Sequence, residues 1–259
     1  MKYFIDTEFI EGTQKNTFPI SLFNKESKPT IDLISIGIVA EDGREYYAIS
    51  KDFNLKEAWN RYQIKKNFGK PQGLGDKKEY WLRENVLKPI WEELKVKEYG
   101  GSITRNFTYD NFKWLIKNYG KTNKQIAKEI QIFVSELCLK GGYDGVYYEN
   151  EPGKVATSVT LRNTHDPPTF YGYYADYDWV AVSWLFGKMI DLPNGFPKYC
   201  IDLKQELERL NETLGYNCDA KGKSYRLQEK PNYPKQINEH NALSDAKWNF
   251  ELYKFLKQL

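Results

Sequence analysis

The segment Tyr3-Phe4-Ile5-Asp6-Thr7-Glu8-Phe9 decides how the rest of the chain is read. Its first three residues form a short apolar run, as expected of a buried strand. Side chains alternate along a strand, so Asp6 and Glu8 present their carboxylates on the same face. Two anions held together on a buried strand repel each other. They need a cation, or one of them must hold a proton. Mg²⁺ suits such a pair because it prefers carboxylate oxygen and keeps waters that a substrate phosphate can replace.

The flanking sequence extends this strand into a sheet. Leu33–Val39 is a second apolar strand, separated from the first by a polar stretch, Thr13–Thr30, that contains Pro19 and Pro29 and reads as a loop. Glu41-Asp42-Gly43-Arg44 carries the Asp-Gly signal of a hairpin, so Glu45–Ser50 is expected to return as a third strand. Thr122-Asn123-Lys124-Gln125 is a capping-box pattern, followed by Ile126, Ile130, Phe133 and Leu137 on one helical face. Val155–Arg162 and Thr169–Ala175 read as strands around Pro167-Pro168, and a helix that begins soon after Ala175 takes in Trp179–Phe186. Asp202 is placed to cap a helix with Leu203, Leu207, Leu210 and Leu214 inward and Gly215 as its stop. The last helix spans about Leu243 to Lys257, with Leu243, Ala246, Phe250, Tyr253 and Leu256 along one side. Strands first, then strands alternating with helices, predict an α/β fold: a mixed sheet with helices on its faces and a site at its strand ends.

The middle of the chain has a different character. Residues 54–121 hold four of the seven tryptophans (Trp59, Trp81, Trp91, Trp114) and are broken by Gly69–Gly75 and Gly100-Gly101. They read as short helices and loops, an insertion into one domain of 1–259. From Lys51 to Lys121 there are 16 Lys/Arg against 9 Asp/Glu, while the remainder has 22 against 26. A basic segment beside an acidic remainder fits a partner with a phosphate backbone. At 259 residues and 16% aromatics the chain can bury a full core, which excludes a disordered protein. No apolar run is long enough for a membrane span. Three cysteines without metal-ligand spacing (Cys138, Cys200, Cys218) point to reduced thiols and a cytoplasmic setting.

Three further residues extend the Asp6/Glu8 pair. In Tyr174-Ala175-Asp176-Tyr177-Asp178-Trp179-Val180 an acid falls at a strand-to-helix junction. Asp176 suits the N-cap, and Asp178, inside the first turn, suits a metal ligand. In Glu239-His240-Asn241-Ala242-Leu243-Ser244-Asp245 the histidine lies on the loop and Asp245 in the first turn of the last helix. The other histidine, His165, sits in a turn beside Asp166-Pro167-Pro168. Tyr177 is the aromatic best placed to face a base, Trp179 and Trp184 are read as core residues of their helix, and Arg162 is a candidate phosphate contact.

In this order these motifs resemble the DEDDh family of 3′–5′ exonucleases. The likeness is strongest to the small bacterial and phage exoribonuclease branch first described in mycobacteria. It rests on Phe4–Glu11, Leu33–Tyr47, Tyr174–Val180, Ile201–Gln205 and Asn238–Trp248, and the middle segment departs from it. The resemblance implies a ribonuclease-H-like mixed sheet flanked by helices, with a helical insertion after the first three strands. It implies that Asp6, Glu8, Asp178 and Asp245 hold two Mg²⁺ or Mn²⁺ ions and that His240 is the general base. Glu8, the backbone around Thr7, and Phe9 would meet the terminal nucleotide. The expected substrate is RNA in preference to DNA, with nucleoside 5′-monophosphates as products, and the resemblance allows a homodimer. A DNA exonuclease and a non-catalytic nucleic-acid-binding module are the alternatives.

Overall fold

The computed structural model describes residues 1–13, 29–66, 76–99, 105–140, 167–213, 217–218 and 224–259. In chain order they form β1 (Lys2–Thr13), β2 (Pro29–Ala40), β3 (Glu45–Ile49), α1 (Leu55–Asn60), β4 (Gln63–Lys65) and β5 (Lys77–Glu79). A π-helical turn, Arg83–Leu87, leads into α2 (Lys88–Tyr99), followed by α3 (Tyr109–Tyr119) and α4 (Asn123–Lys140). The later elements that bear on the site are β6 (Thr169–Gly172), α5 (Ala175–Phe186), β7 (Ile201–Asp202), α6 (Leu203–Thr213) and, after two short paired strands, the closing helix (Ala242–Lys257), here α7.

Five strands make one mixed sheet in the order β3-β2-β1-β6-β7. β2 and β3 are joined by a four-residue turn, which only antiparallel neighbours allow. Gly43 takes φ +87° there, and its N–H donates to the Ala40 carbonyl. The Glu41 N–H donates to the Lys2 carbonyl, so the end of β2 lies beside the beginning of β1 and the two strands run in opposite directions. β1 pairs in parallel with β6 (Tyr3 opposite Phe170, Phe4 opposite Tyr171), and β6 in parallel with β7.

The chain divides into two compact units, and β1 runs unbroken through both. The first comprises 1–7, 35–48 and 122–259, and the second comprises 8–34 and 49–121. In the first unit, strand alternation sends neighbouring side chains to opposite faces. Tyr3 stacks on Phe170 and donates its hydroxyl to the Val134 carbonyl of α4, and Phe170 packs on Trp179 of α5. Phe4 faces the other way, stacking on Tyr171 and on Phe250 of α7. Helices therefore cover both faces. α6 packs beside α7 through Leu203, Leu207, Trp248, Leu252 and Phe255.

Most of the expected elements are present, with differences of extent. The Thr122–Gln125 capping box forms in both directions. Asp202 accepts from the Lys204 and Gln205 N–H groups and so caps α6. β6 ends at Gly172, three residues before the expected limit, and α5 begins at Ala175. β1 continues through Thr13 and β2 starts at Pro29, which shortens the expected loop from both sides. Val155–Arg162, His165, Leu214 and Gly215 lie outside the described residues.

The second unit corrects the reading of the insertion as helices and loops alone. β4 and β5 pair antiparallel there, Gln63 opposite Glu79. Its aromatics form a cluster in which Trp91 is buried and Trp59 packs on Phe107 and Tyr109. Among the described residues, no helix is long and apolar enough to cross a membrane.

Candidate metal and catalytic site

The strand geometry expected from the sequence decides which helix each residue of β1 meets. Asp6 shares the parity of Phe4, so it points to the α7 side, and Glu8 follows it two residues on along the same strand. Asp6, Glu8 and Asp245 of α7 each offer a carboxylate oxygen, and these oxygens lie within 4.8 Å of one another. Thr7, of opposite parity, faces α5 and meets Asp178. Its N–H donates to Asp178 Oδ1 at 3.0 Å and its hydroxyl to the same oxygen at 2.5 Å. Thr7, expected near the terminal nucleotide, therefore directs both of its donors to the third acid.

Asp178 is buried, at 5% exposure, whereas Asp176 is exposed. That separates the two acids that the sequence left in competition. Asp176 is also not the N-cap of α5. Tyr174 occupies that position in the left-handed region at φ 57°, without a side-chain cap, and the Ala175 N–H donates instead to Asp202 Oδ2. One aspartate at the end of β7 thus serves the starts of both α5 and α6. Burial pushes the Asp178 carboxyl up to about 7, the nearby charges of Asp202 and Asp245 add to this, and the two Thr7 bonds oppose it. Burial likewise raises Asp245 above the usual carboxylate range. Accumulated negative charge at low exposure is the condition that a bound cation relieves.

Asp245 lies in the first turn of α7, as its spacing from His240 predicts. Both of its oxygens receive donors from the preceding loop: Gln236 Nε2 to Oδ1 at 2.6 Å and the His240 N–H to Oδ2 at 2.9 Å. His240 itself is left-handed at φ 67°, and its side chain is half-buried. The start of α7 lies hard against β2 at Gly37. A Cβ at that glycine would stand 2.2 Å from the Ala242 carbonyl oxygen. Further along α7, the buried Asn249 donates from Nδ2 to the Ile5 carbonyl at 2.8 Å, next to Asp6.

The structure therefore brings Asp6, Glu8 and Asp245 together and holds Asp178 one strand position away through Thr7. Tyr177, expected to face a base, is 51% exposed beside Asp178. Trp179 is buried, in agreement with its assignment to the core. Trp184 is half exposed and does not belong to the core. Gln236, Asn249, Gly37 and Asp202 as the anchor of α5 were not singled out from sequence. Asn249 had the clearest available signal: an amide one helical turn after Asp245, on a side that meets the sheet.

No protein-family model matches the chain. Over 66 residues, 25% of its length, the chain is 47% identical to a protein named 3′–5′ exoribonuclease from Mycobacterium tuberculosis, in both strain CDC 1551 and strain H37Rv. The matched stretch spans 30% of the length of those relatives.

Proposed function

We propose that this chain is a 3′–5′ exoribonuclease of the DEDDh type, with a ribonuclease-H-like fold and dependence on divalent metal. The observation that carries the reading is the convergence of the Asp6, Glu8 and Asp245 oxygens within 4.8 Å, with buried Asp178 fixed to the same strand. The donor set fits hard cations, being all carboxylate oxygen. Asp6, Glu8, Asp178 and Asp245 would hold two Mg²⁺ or Mn²⁺ ions. When bound, such ions stabilise the attacking and leaving oxygens of an in-line displacement and acidify a water.

The chain's own residues do the rest. His240, on the loop before α7, takes the proton of the attacking water, as an imidazole can near neutral pH. Thr7 and Gln236 keep the two buried aspartates in their orientations. Glu8, Phe9 and Tyr177 meet the terminal nucleotide, which fixes attack to the 3′ end. The release of nucleoside 5′-monophosphates follows from cleavage on the 3′-oxygen side of each phosphate.

The test is stepwise shortening of 5′-labelled RNA bearing a 3′ overhang, with Mg²⁺ and with EDTA. The expected result is a ladder that descends one nucleotide at a time with Mg²⁺ and is absent in EDTA. Uncut RNA at high enzyme concentration overturns the proposal. Matched DNA in competition reports whether the 2′-hydroxyl is recognised.

A further inference from the structure

The second unit contains a groove of about 200 Å³ that shares only Phe9 with the proposed site. Phe9 and Glu11 of β1 line it together with Tyr62, Gln63, Glu79 and Trp81 from the β4–β5 hairpin and its flanks. That volume is smaller than the roughly 300–1,000 Å³ of pockets for drug-sized ligands, so it suits a single planar ring. Two large aromatics at the groove stay solvent-accessible, Tyr62 at 46% and Trp81 at 40%. What sets this pair apart from the chain's other exposed aromatics is that both line one concave surface, where a flat ring can be held.

The segments around the groove carry more cations than anions. The hairpin and its flanks, 61–66 and 76–83, carry Arg61, Lys65, Lys66, Lys77, Lys78 and Arg83 against Asp76 and Glu79. Lys78 lies over the Tyr62 ring at 4.2 Å, and the Arg83 guanidinium over the Tyr80 ring at 3.8 Å. Cations thus interleave with rings along the hairpin, while the groove lining offers the guanidinium of Arg61, the amide of Gln63, and the carboxylates of Glu11 and Glu79, the latter paired with Lys65 at 3.4 Å. Phosphates are attracted to the lysines and arginines of the hairpin. A base stacks on the rings, and its N–H groups donate to carboxylate and amide oxygens of the lining.

We infer that this groove is a second nucleotide subsite, which stacks one base of a single-stranded nucleic acid on Tyr62 and Trp81 while the hairpin lysines follow its backbone. The inference rests on the nuclease reading for the polarity of the strand. β1 links the groove to the strand position of Glu8: Phe9 and Glu11 follow on the parity of Thr7, opposite to Glu8, and Glu11 lies about 10 Å further along the extended strand. The groove therefore begins within about two nucleotides' reach of the strand position that bears Glu8.

The test uses the full chain with Tyr62→Ala and Trp81→Ala combined, both exposed positions, and circular dichroism to verify folding. Single-stranded RNA and DNA of 2 to 12 nucleotides are titrated by fluorescence anisotropy in EDTA, and dinucleotide hydrolysis is measured with Mg²⁺. The groove predicts that wild-type affinity rises with length and that the double variant loses about tenfold on the longer strands, since one stacked base is worth that order. Dinucleotide turnover stays at the wild-type level. A double variant that binds and cuts long strands like wild type overturns the groove and leaves the nuclease reading intact. Wild type that cuts nothing overturns the nuclease reading. The groove then stands on binding alone, supported if the double variant binds long strands more weakly and overturned if it does not. Quenching of the wild-type tryptophan signal by long strands, lost on Trp81→Phe, supports contact at that ring, and its persistence in Trp81→Phe overturns it.

Discussion

Helices α5 and α7 each carry a buried aspartate in the first turn and each follow a left-handed residue, Tyr174 at the N-cap of α5 and His240 just before the N-cap of α7, yet they secure that aspartate by different means. Asp178 is held by the sheet, since the N–H and hydroxyl of Thr7 on β1 both reach one of its oxygens. Asp245 is held by the loop that precedes its own helix, through the Gln236 amide and the His240 N–H. A strand inside a paired sheet moves little. A loop with exposed Gln236 and two left-handed residues, Asn238 and His240, has stored backbone strain and fewer restraints. The difference suggests that one carboxylate is a fixed reference and the other adjusts when a cation or substrate arrives.

The largest effects come from removing either acid. Asp178→Asn and Asp245→Asn are each expected to lower hydrolysis on the order of 10⁴-fold, as loss of a member of a catalytic unit does. The two variants separate in stability. The Asp178 carboxyl is raised to about 7, well above its unfolded value near 3.9, so its protonated form is favoured in the folded state. The stability this contributes is full below about pH 4 and is lost as the pH rises through about 7. Without metal, the wild type should melt several degrees lower at pH 8 than at pH 5, at about 2–4 °C per kcal/mol for a chain of this size. Asp178→Asn should flatten that profile and Mg²⁺ should reverse it. A flat wild-type profile would remove the electrostatic side of the comparison.

The next effect concerns His240 alone. His240→Ala should slow hydrolysis by about 10²- to 10⁴-fold, the usual worth of a general base, with little change in RNA affinity. His240→Gly should be as slow and at least as stable as His240→Ala, because glycine occupies φ 67° without steric cost. Equal rates for wild type and His240→Ala would show that the loop supplies geometry only.

The same contrast explains what was legible in the sequence. The parity of Asp6 and Glu8, the hairpin at Asp42-Gly43 and the place of Asp245 in the first turn follow from periodicity and turn chemistry. Those are local rules, and the structure obeys them. Asp178 is buried and Asp176 exposed, but Asp176 is not the N-cap that its place before the helix suggests. A cap from β7, 26 residues beyond Asp176, already served that helix, and no local pattern announces a partner so far along the chain. The roles of Thr7, Asn249 and Gly37 were hidden for the same cause. Each depends on which element lies opposite, as with the Gly37 contact that brings α7 against β2. The β4–β5 pairing was missed because each strand is three residues long, too short for alternation to register.

Thr7→Val tests the sheet-held carboxylate. It removes the hydroxyl donor and keeps the N–H, so it should cost about 1–3 kcal/mol in stability where Asp178 is ionised. Its rate should fall by about 10- to 100-fold, the range for residues that orient a metal ligand. Thr7→Ser should recover most of both losses.

Gln236→Ala is the loop-side counterpart and should be the mildest change. Gln236 is exposed and the His240 N–H remains on the other oxygen of Asp245, so stability should move by no more than about 0.5 kcal/mol. The rate should fall only several-fold, because the cation that Asp245 binds can itself orient the carboxylate once the amide is gone. Raising Mg²⁺ should then restore much of the rate for Gln236→Ala and little of it for Thr7→Val. That divergence in metal dependence, measured as rate against Mg²⁺ concentration, separates an aspartate fixed by the sheet from one positioned by its loop. Parallel metal curves for the two variants would mean that both carboxylates are held with the same stiffness.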